Sequence, residues 1–273
     1  MVPHMIQMDP AEMKRIGPSA SIRVGSLWAP VKHLPEVLAP FTKLLFCLNH
    51  TDDAHPYSLR GSATGLRFSG QHLLFCCVHQ IADRAPGDVV VPVDKRGEKL
   101  VSGTRFIRIN ELPEFAGEEI LDVCAMHFKP DDYGEPQLER GFFDIKGADV
   151  WNGEPQTTFL VYGYPSSLRQ YGVDEVSGEL NDLKVKMTAT AGHYSHQSSA
   201  TGLHAITLER SGTYSSDGLS GGAVYHVGED AAGFYCGFAG IVVRGSDTSN
   251  IIHFMDAQLI REFFLYNQSL ENR

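Results

Sequence analysis

The run Asp217-Gly218-Leu219-Ser220-Gly221-Gly222-Ala223 places a serine between glycines and directly ahead of an apolar strand. Glycines on both sides let the backbone turn sharply, so that a hydroxyl projects while neighbouring amide N–H groups can converge on one point. An acyl-transfer centre needs both features, a nucleophile and donors for the oxyanion. The same run also suits an ordinary flexible turn, so its partners decide the reading. His79 closes the apolar run Leu73 to Val78, and Asp122 lies inside Ile120-Leu121-Asp122-Val123-Cys124-Ala125-Met126. A carboxylate within an apolar strand is expensive to bury unless it is paired or hydrogen-bonded, and an imidazole is a suitable partner. The bland alternatives are a satisfied strand-end histidine and an aspartate on an edge strand facing water.

Other clusters point to chemistry less well. Cys76 and Cys77 sit close to His79, but adjacent strand residues face opposite sides and neither lies at a glycine turn, against a cysteine nucleophile. His193, His196 and His204 could suggest zinc, yet no His-Glu-x-x-His and no paired Cys-x-x-Cys accompanies them, and a polar loop is the better reading. No metal site and no glycine-rich phosphate-binding signature is expected.

These residues must be held by something, and the periodicities indicate what. Leu34, Val37, Leu38, Phe41, Leu44, Leu45 and Leu48 recur three and four apart, predicting a helix over His33 to Asn49 after an arm of mixed polar residues. From Ser62 the pattern becomes that of strands. Thr64 to Phe68, a turn at Ser69-Gly70-Gln71-His72, and Leu73 to Val78 form an expected hairpin. Short strands follow at Asp88 to Val93, Thr104 to Ile109 and Ile120 to Phe128. A second series covers Thr157 to Gly163, Leu183 to Ala191, Leu203 to Glu209, Gly222 to Val227 and Gly233 to Arg244. Met255 to Asn267 carries apolar residues at helical spacing without internal Gly or Pro, predicting a closing helix packed on the second series.

The composition fits many short strands: 27 Gly and 14 Pro are spread along 273 residues. A formal net charge of -10 gives phosphate binding no global support, so a generic nucleic-acid binder is not expected. No 18-residue apolar run and no secretory leader pattern appears, which predicts a cytoplasmic protein without membrane association. Five cysteines, mostly within apolar runs, predict buried thiols and no disulfide framework.

With all three residues in the order His, Asp, Ser, the chain resembles the trypsin-like (chymotrypsin-fold, PA clan) serine peptidases, and among them the cytosolic bacterial trypsin-like domains. The resemblance rests on Gly61-Ser62-Ala63-Thr64-Gly65 and Leu73 to Val78 before His79, on the strand around Asp122, and on the Ser220 motif. It covers roughly residues 58–266. It implies an all-β fold of two antiparallel six-stranded β-barrels with an N-terminal arm and helix and a C-terminal helix. The implied boundaries are 1–57 for arm and helix, 58–135 and 136–254 for the barrels, and 255–273 for the last helix.

By the same resemblance His79 is the general base, Asp122 orients it, and Ser220 is the nucleophile, with the amides of Gly218 and Ser220 as the oxyanion hole. Tyr214, Val243, Arg244 and Gly245 would bind substrate, with an apolar or small residue preceding the scissile bond unless Asp217 or Asp247 intrudes. The implied activity is serine endopeptidase action on a protein or peptide substrate, without metal or organic cofactor. Residues 1–57 would be available to dock a regulatory partner. Two other readings share the site: a catalytically inactive fold serving as a protein-binding module, and an esterase. Departures from the family pattern are Leu219, where secreted members carry the aspartate that pairs with a cleaved N-terminus, Ala223 in place of a proline, and the lack of a cysteine after His79 to staple its loop.

Overall fold

The computed structural model describes residues 21–51, 55–94, 99–108, 122–129, 140–145, 150–155, 157–173, 180–198, 202–209 and 215–271. In chain order the strands are β1 (Ser21–Val24), β2 (Leu27–Pro30), β3 (Thr42–Leu48), β4 (Tyr57–Phe68), β5 (Gln71–Cys77), β6 (Val89–Pro92), β7 (Leu100–Ser102), β8 (Arg105–Arg108), β9 (Val123–Phe128), β10 (Phe143–Asp144), β11 (Thr158–Gly163), β12 (Arg169–Val173), β13 (Leu180–Val185), β14 (Thr188–Gln197), β15 (Leu203–Leu208), β16 (Ala223–Asp230), β17 (Gly233–Ser246) and β18 (Ile251–Asp256). The α-helices are α1 (Leu34–Leu38), α2 (Val78–Ile81) and α3 (Ala257–Glu271).

Six strands in the order β16-β11-β14-β15-β18-β17 close on themselves through the β16–β17 pairing, forming a barrel that leaves no open edge among them. The other large sheet runs β7-β6-β3-β4-β5-β9-β8, with β10 added parallel to β4, and curls into a half-barrel. The protein is thus mostly β, with two curved sheets and a closing helix. Of the two expected barrels, the second closes with six strands, and the first is a curled sheet among the described residues.

Each strand of the first sheet that carries the site is buried on both faces. Along β5, Leu73 and Phe75 join a core shared with the second lobe, while Leu74 and Cys76 point into the first sheet's own core. Val123 and Ala125 of β9 alternate with Cys124 and Met126 in the same way. A period of two with both faces covered produces the continuous apolar runs seen in the sequence. Inside the closed barrel, Trp151, Phe159, Val161, Val224 and Phe254 pack together.

Three expectations change. The helix expected over His33 to Asn49 is confined to the five residues of α1, flanked by 3-10 turns at Val31–His33 and Ala39–Phe41. From Thr42 the chain is strand β3, paired with β4 and β6 in the middle of the first sheet. Pro40 has no N–H to carry a helical ladder onward. The run Leu44-Leu45-Phe46-Cys47-Leu48 is apolar at every period, so spacing alone does not distinguish helix from strand there. Ser21–Val24 and Leu27–Pro30, within the expected arm, form a hairpin whose first strand pairs parallel to β17; residues 1–20 lie outside the described residues. The C-terminal helix is not confined to the second lobe. Phe263 meets Phe75 of the first sheet edge-on at a centroid distance of 5.4 Å, and Phe264 meets Phe75 and Phe68 at a tilt, at 5.7 and 5.6 Å. Each fully buried phenyl contributes about 1.5–3 kcal/mol, so α3 fastens the two lobes to one another. Among the described residues no helix is long and apolar enough to cross a membrane.

Candidate active site

Strand β5 ends at Cys77, and Val78 begins the four-residue helix α2, so His79 sits in a helical first turn and not at a strand end. Cys77 pairs with Val123 across the β5–β9 ladder, which leaves Asp122 just beyond the start of β9 and beside α2. The Val78 N–H donates to the Asp122 carbonyl at 2.5 Å and fixes that placement. The carboxylate then turns towards His79. Its Oδ1 accepts the His79 backbone N–H at 3.1 Å, and its Oδ2 takes the ring Nδ1 at 2.6 Å. A carboxylate opposite Nδ1 selects the tautomer in which Nδ1 carries the proton and Nε2 keeps its lone pair. The His79 pKa is raised from its ordinary value, first by the hydrogen bond to Asp122 and further by the charges of Asp122 and Asp217, with partial burial opposing.

The serine turn is pinned from both lobes. Gly218 and Gly221 adopt φ of +89° and +79°. A Cβ at Gly218 would fall 2.5 Å from the Tyr164 carbonyl oxygen, and one at Gly221 only 2.2 Å from that of Ser62. Side-chain hydroxyls of β4 hold the turn's carbonyls: Ser62 Oγ donates to Gly218 O and Thr64 Oγ1 to Gly221 O, each at 2.7 Å. Gly221 N–H donates to Val242 O at 2.7 Å and Gly222 N–H to Leu219 O at 2.8 Å. Among the described residues, no acceptor takes the N–H of Gly218 or of Ser220. Those are the two amides expected to receive an oxyanion. Leu219 is buried at 2% exposure with Val161, Val224 and Phe254, so the position between them is filled by hydrocarbon.

His79 and Ser220 line one cleft of about 350 Å³, together with Ser215, Ser216, Asp217, Arg244, Gly245 and Asp247. The structure therefore brings the expected base, its carboxylate and the expected nucleophile into one site. The Ser220 hydroxyl, however, donates to the carbonyl oxygen of Val243 at 3.0 Å instead of to His79. Without substrate, hydrogen bonds between catalytic groups are commonly long or misaligned and tighten on binding.

The substrate-side residues divide. Arg244 and Gly245 line the cleft as expected. Val243 is 2% exposed, buries its side chain in the shared core, and presents only its carbonyl to the site. Tyr214 lies outside the described residues. Asp217 and Asp247 both intrude, and the cleft walls are polar and charged where an apolar or small preference was expected. Asp247 is held in place by Ser215 Oγ at 2.6 Å, Ser216 N–H at 2.5 Å and Ser216 Oγ at 2.6 Å.

Sequence reasoning missed Gln80, Ser62 and Thr64. Only Gln80 left a signal, since Cys77-x-x-Gln80 has the spacing of a capping box with a thiol in place of the usual hydroxyl. The three histidines considered for zinc go to separate partners: His193 to Glu209, His196 to Ser195 Oγ, and buried His204 to Tyr194 and Asp256. Donor atoms of Cys77, His79 and Asp122 lie within 4.8 Å of one another. At 2.6 Å, however, His79 Nδ1 and Asp122 Oδ2 stand at hydrogen-bond distance, closer than two ligands each about 2 Å from a shared ion would stand. All five cysteines are free and buried. Burial pushes the Cys77 thiol well above its usual range, with the Asp122 charge adding to the effect.

No family model matches the chain, and no curated protein matches it. Among solved structures it is similar to the scabies mite inactivated protease paralogue S-I1, at 13% identity and a TM-score of 0.49, covering 86% of this chain and 95% of that one. It is similar to the tobacco vein mottling virus protease at 11% identity and a TM-score of 0.44, covering 81% of this chain and 78% of that one. At such values neither likeness transfers a residue's role, and the site stands on its own geometry.

Proposed function

We propose that the protein is a serine endopeptidase acting through an acyl-enzyme on Ser220. The observation that carries this reading is the 2.6 Å pairing of His79 Nδ1 with Asp122 in the same cleft as a serine framed by two positive-φ glycines. In the reaction, Ser220 Oγ rotates from the Val243 carbonyl to His79 Nε2, gives up its proton there and attacks the scissile carbonyl carbon. The tetrahedral oxyanion accepts the N–H groups of Gly218 and Ser220, where one donor commonly contributes about a hundredfold to a thousandfold in turnover. Asp122 holds the imidazolium, His79 returns the proton to the departing amine, and water then releases the acyl group by the same steps.

The experiment is intact mass after incubation with a fluorophosphonate, comparing wild type with Ser220→Ala. The probe needs an activated serine and no known substrate. A single adduct on wild type alone supports the reading, and no adduct on folded protein overturns it. A second reading, an inactive fold retained for binding proteins, is favoured by one observation: the Ser220 hydroxyl is engaged by Val243 and not by the base. The same absence of adduct would support it.

A further inference from the structure

The residue after the proposed base carries several side-chain hydrogen bonds into the site. Gln80 is 5% exposed. Its Oε1 accepts the Cys77 N–H at 2.7 Å, which fixes the end of the carboxamide that is oxygen. Nε2 then donates to Ser220 O at 3.0 Å and Ser62 O at 3.1 Å, with Arg60 O more distant at 3.4 Å. Two amide protons thus meet two good acceptors, one on β4 and one on the nucleophile's own residue. The neighbouring glycines leave room for this group: a Cβ at Gly61 would lie 2.9 Å from Nε2 and one at Gly221 3.0 Å from Oε1.

We propose that Gln80 is a positioning residue that sets the separation of His79 and Ser220. This rests on the reading of the site as an acyl-transfer centre. His79 and Gln80 are consecutive, and the Ser220 carbonyl belongs to the residue that carries the nucleophile. One side chain and one hydrogen bond therefore join the backbone of the base to that of the nucleophile across the two lobes. Ser62 and Thr64 also reach the serine turn, but from β4, so they fix the turn to the sheet and not to the helix that bears the base. The Gln80 carboxamide makes its tie through hydrogen bonds alone. Misplacement of reacting groups by about 1 Å can cost on the order of a hundredfold in rate.

The test compares Gln80→Leu and Gln80→Glu with wild type, reading fluorophosphonate labelling rate against pH and hydrogen exchange of peptides spanning residues 216–224. Gln80→Leu should label roughly tenfold to a hundredfold more slowly, with faster exchange across the serine turn. Gln80→Glu should be equally slow at pH 8, because a carboxylate faces carbonyl oxygens. As the pH falls towards 6, the introduced carboxyl takes up a proton and regains one donor, so its rate relative to wild type should recover several-fold. A purely structural lesion gives the same ratio at every pH. Wild-type labelling rates and unchanged exchange in both variants overturn the proposal. Should Gln80→Leu fail to fold, the pH-dependent ratio of Gln80→Glu decides. Should wild type itself not label, the acyl-transfer reading fails, and exchange alone judges the tie: faster exchange upholds it, and unchanged exchange overturns it.

Discussion

The Val243 carbonyl oxygen accepts the hydroxyl of Ser220 at 3.0 Å, from a strand position whose side chain is wholly committed to the core. The Ser220 hydroxyl is therefore held by a backbone acceptor, and in the proposed reaction a rotation about χ1 takes it from that carbonyl towards His79. A single staggered step of this kind is small beside the barrier of acyl transfer. On the proposed peptidase reading this is a resting arrangement that substrate binding would have to release, and on the binding-module reading it is the final one.

If Ser220 and His79 then act as one unit, their losses should not add. Ser220→Ala and His79→Ala should each remove on the order of a millionfold in turnover, and the double variant should fall no further than either alone. Peptide hydrolysis followed on the three purified variants checks this. Activity persisting in Ser220→Ala would assign the chemistry elsewhere. Comparing short and extended substrates separates a peptidase from an esterase, because only the former should gain turnover from remote contacts.

Activity and the local contribution to stability should run in opposite directions with pH. His79 serves as a base only when neutral, and its pKa is raised above the ordinary 6.5. The labelling rate should therefore climb with pH through that raised value. The imidazolium is the form that Asp122 favours in the folded protein, so the pair's contribution to stability is fully present below 6.5 and fades as pH rises through the raised value. Asp122→Asn should lower the titration midpoint of the labelling profile and cut its plateau, by about 10⁴ in comparable triads, since the amide no longer selects the tautomer. A midpoint unmoved in Asp122→Asn would contradict the role assigned to the carboxylate.

The site was legible where a residue type is constrained by more than one requirement. Gly218, Ser220 and Gly221 must combine a turn, an exposed hydroxyl and close backbone approach, and few residues do so. Asp122 in apolar company called for a partner, and His79 of α2 supplies it with both its N–H and its ring. The helix over residues 33–49 misled because Leu44 to Leu48 is apolar at any period, and only its pairing with β4 and β6 makes it strand. Ser62 and Thr64 left no signal of their role, and Gln80 only the spacing of a capping box, because ordinary polar residues acquire their meaning from carbonyls up to 157 positions distant in the chain. Asp247, which the sequence named beside Asp217 as an intruder on the pocket, is fixed at the cleft by Ser215 and Ser216.

The glycines give a stability test with its own control. Gly70 has φ of +84° and open space where a Cβ would stand, whereas Gly221 has φ of +79° and the Ser62 carbonyl 2.2 Å from that position. Gly70→Ala should cost only the left-handed strain, about 1 kcal/mol. Gly221→Ala adds a collision with the Ser62 carbonyl, which Gln80 holds in place, and should lower Tm clearly more and slow labelling as well. Equal Tm losses in the two variants would show that the serine turn relaxes freely.

Leu219 supplies the last test, because it separates this site from those completed by a buried aspartate. The side chain is 2% exposed among Val161, Val224 and Phe254, and it lies so close to β11 that a Cβ on Gly163 would fall 2.7 Å from it. Leu219→Asp would put a carboxylate into that apolar cluster, a change expected to cost on the order of 3–5 kcal/mol unless the carboxylate reaches the Arg169 guanidinium beside Gly218. Leu219→Met keeps the volume and should cost less than about 1.5 kcal/mol. If the turn is held ready by this apolar anchor, Leu219→Met should label like wild type and Leu219→Asp should lose both Tm and labelling together. A Leu219→Asp protein that keeps its Tm would mean that the turn can swing the new carboxylate out to solvent, and the serine would then be expected to lose its alignment while the fold survives.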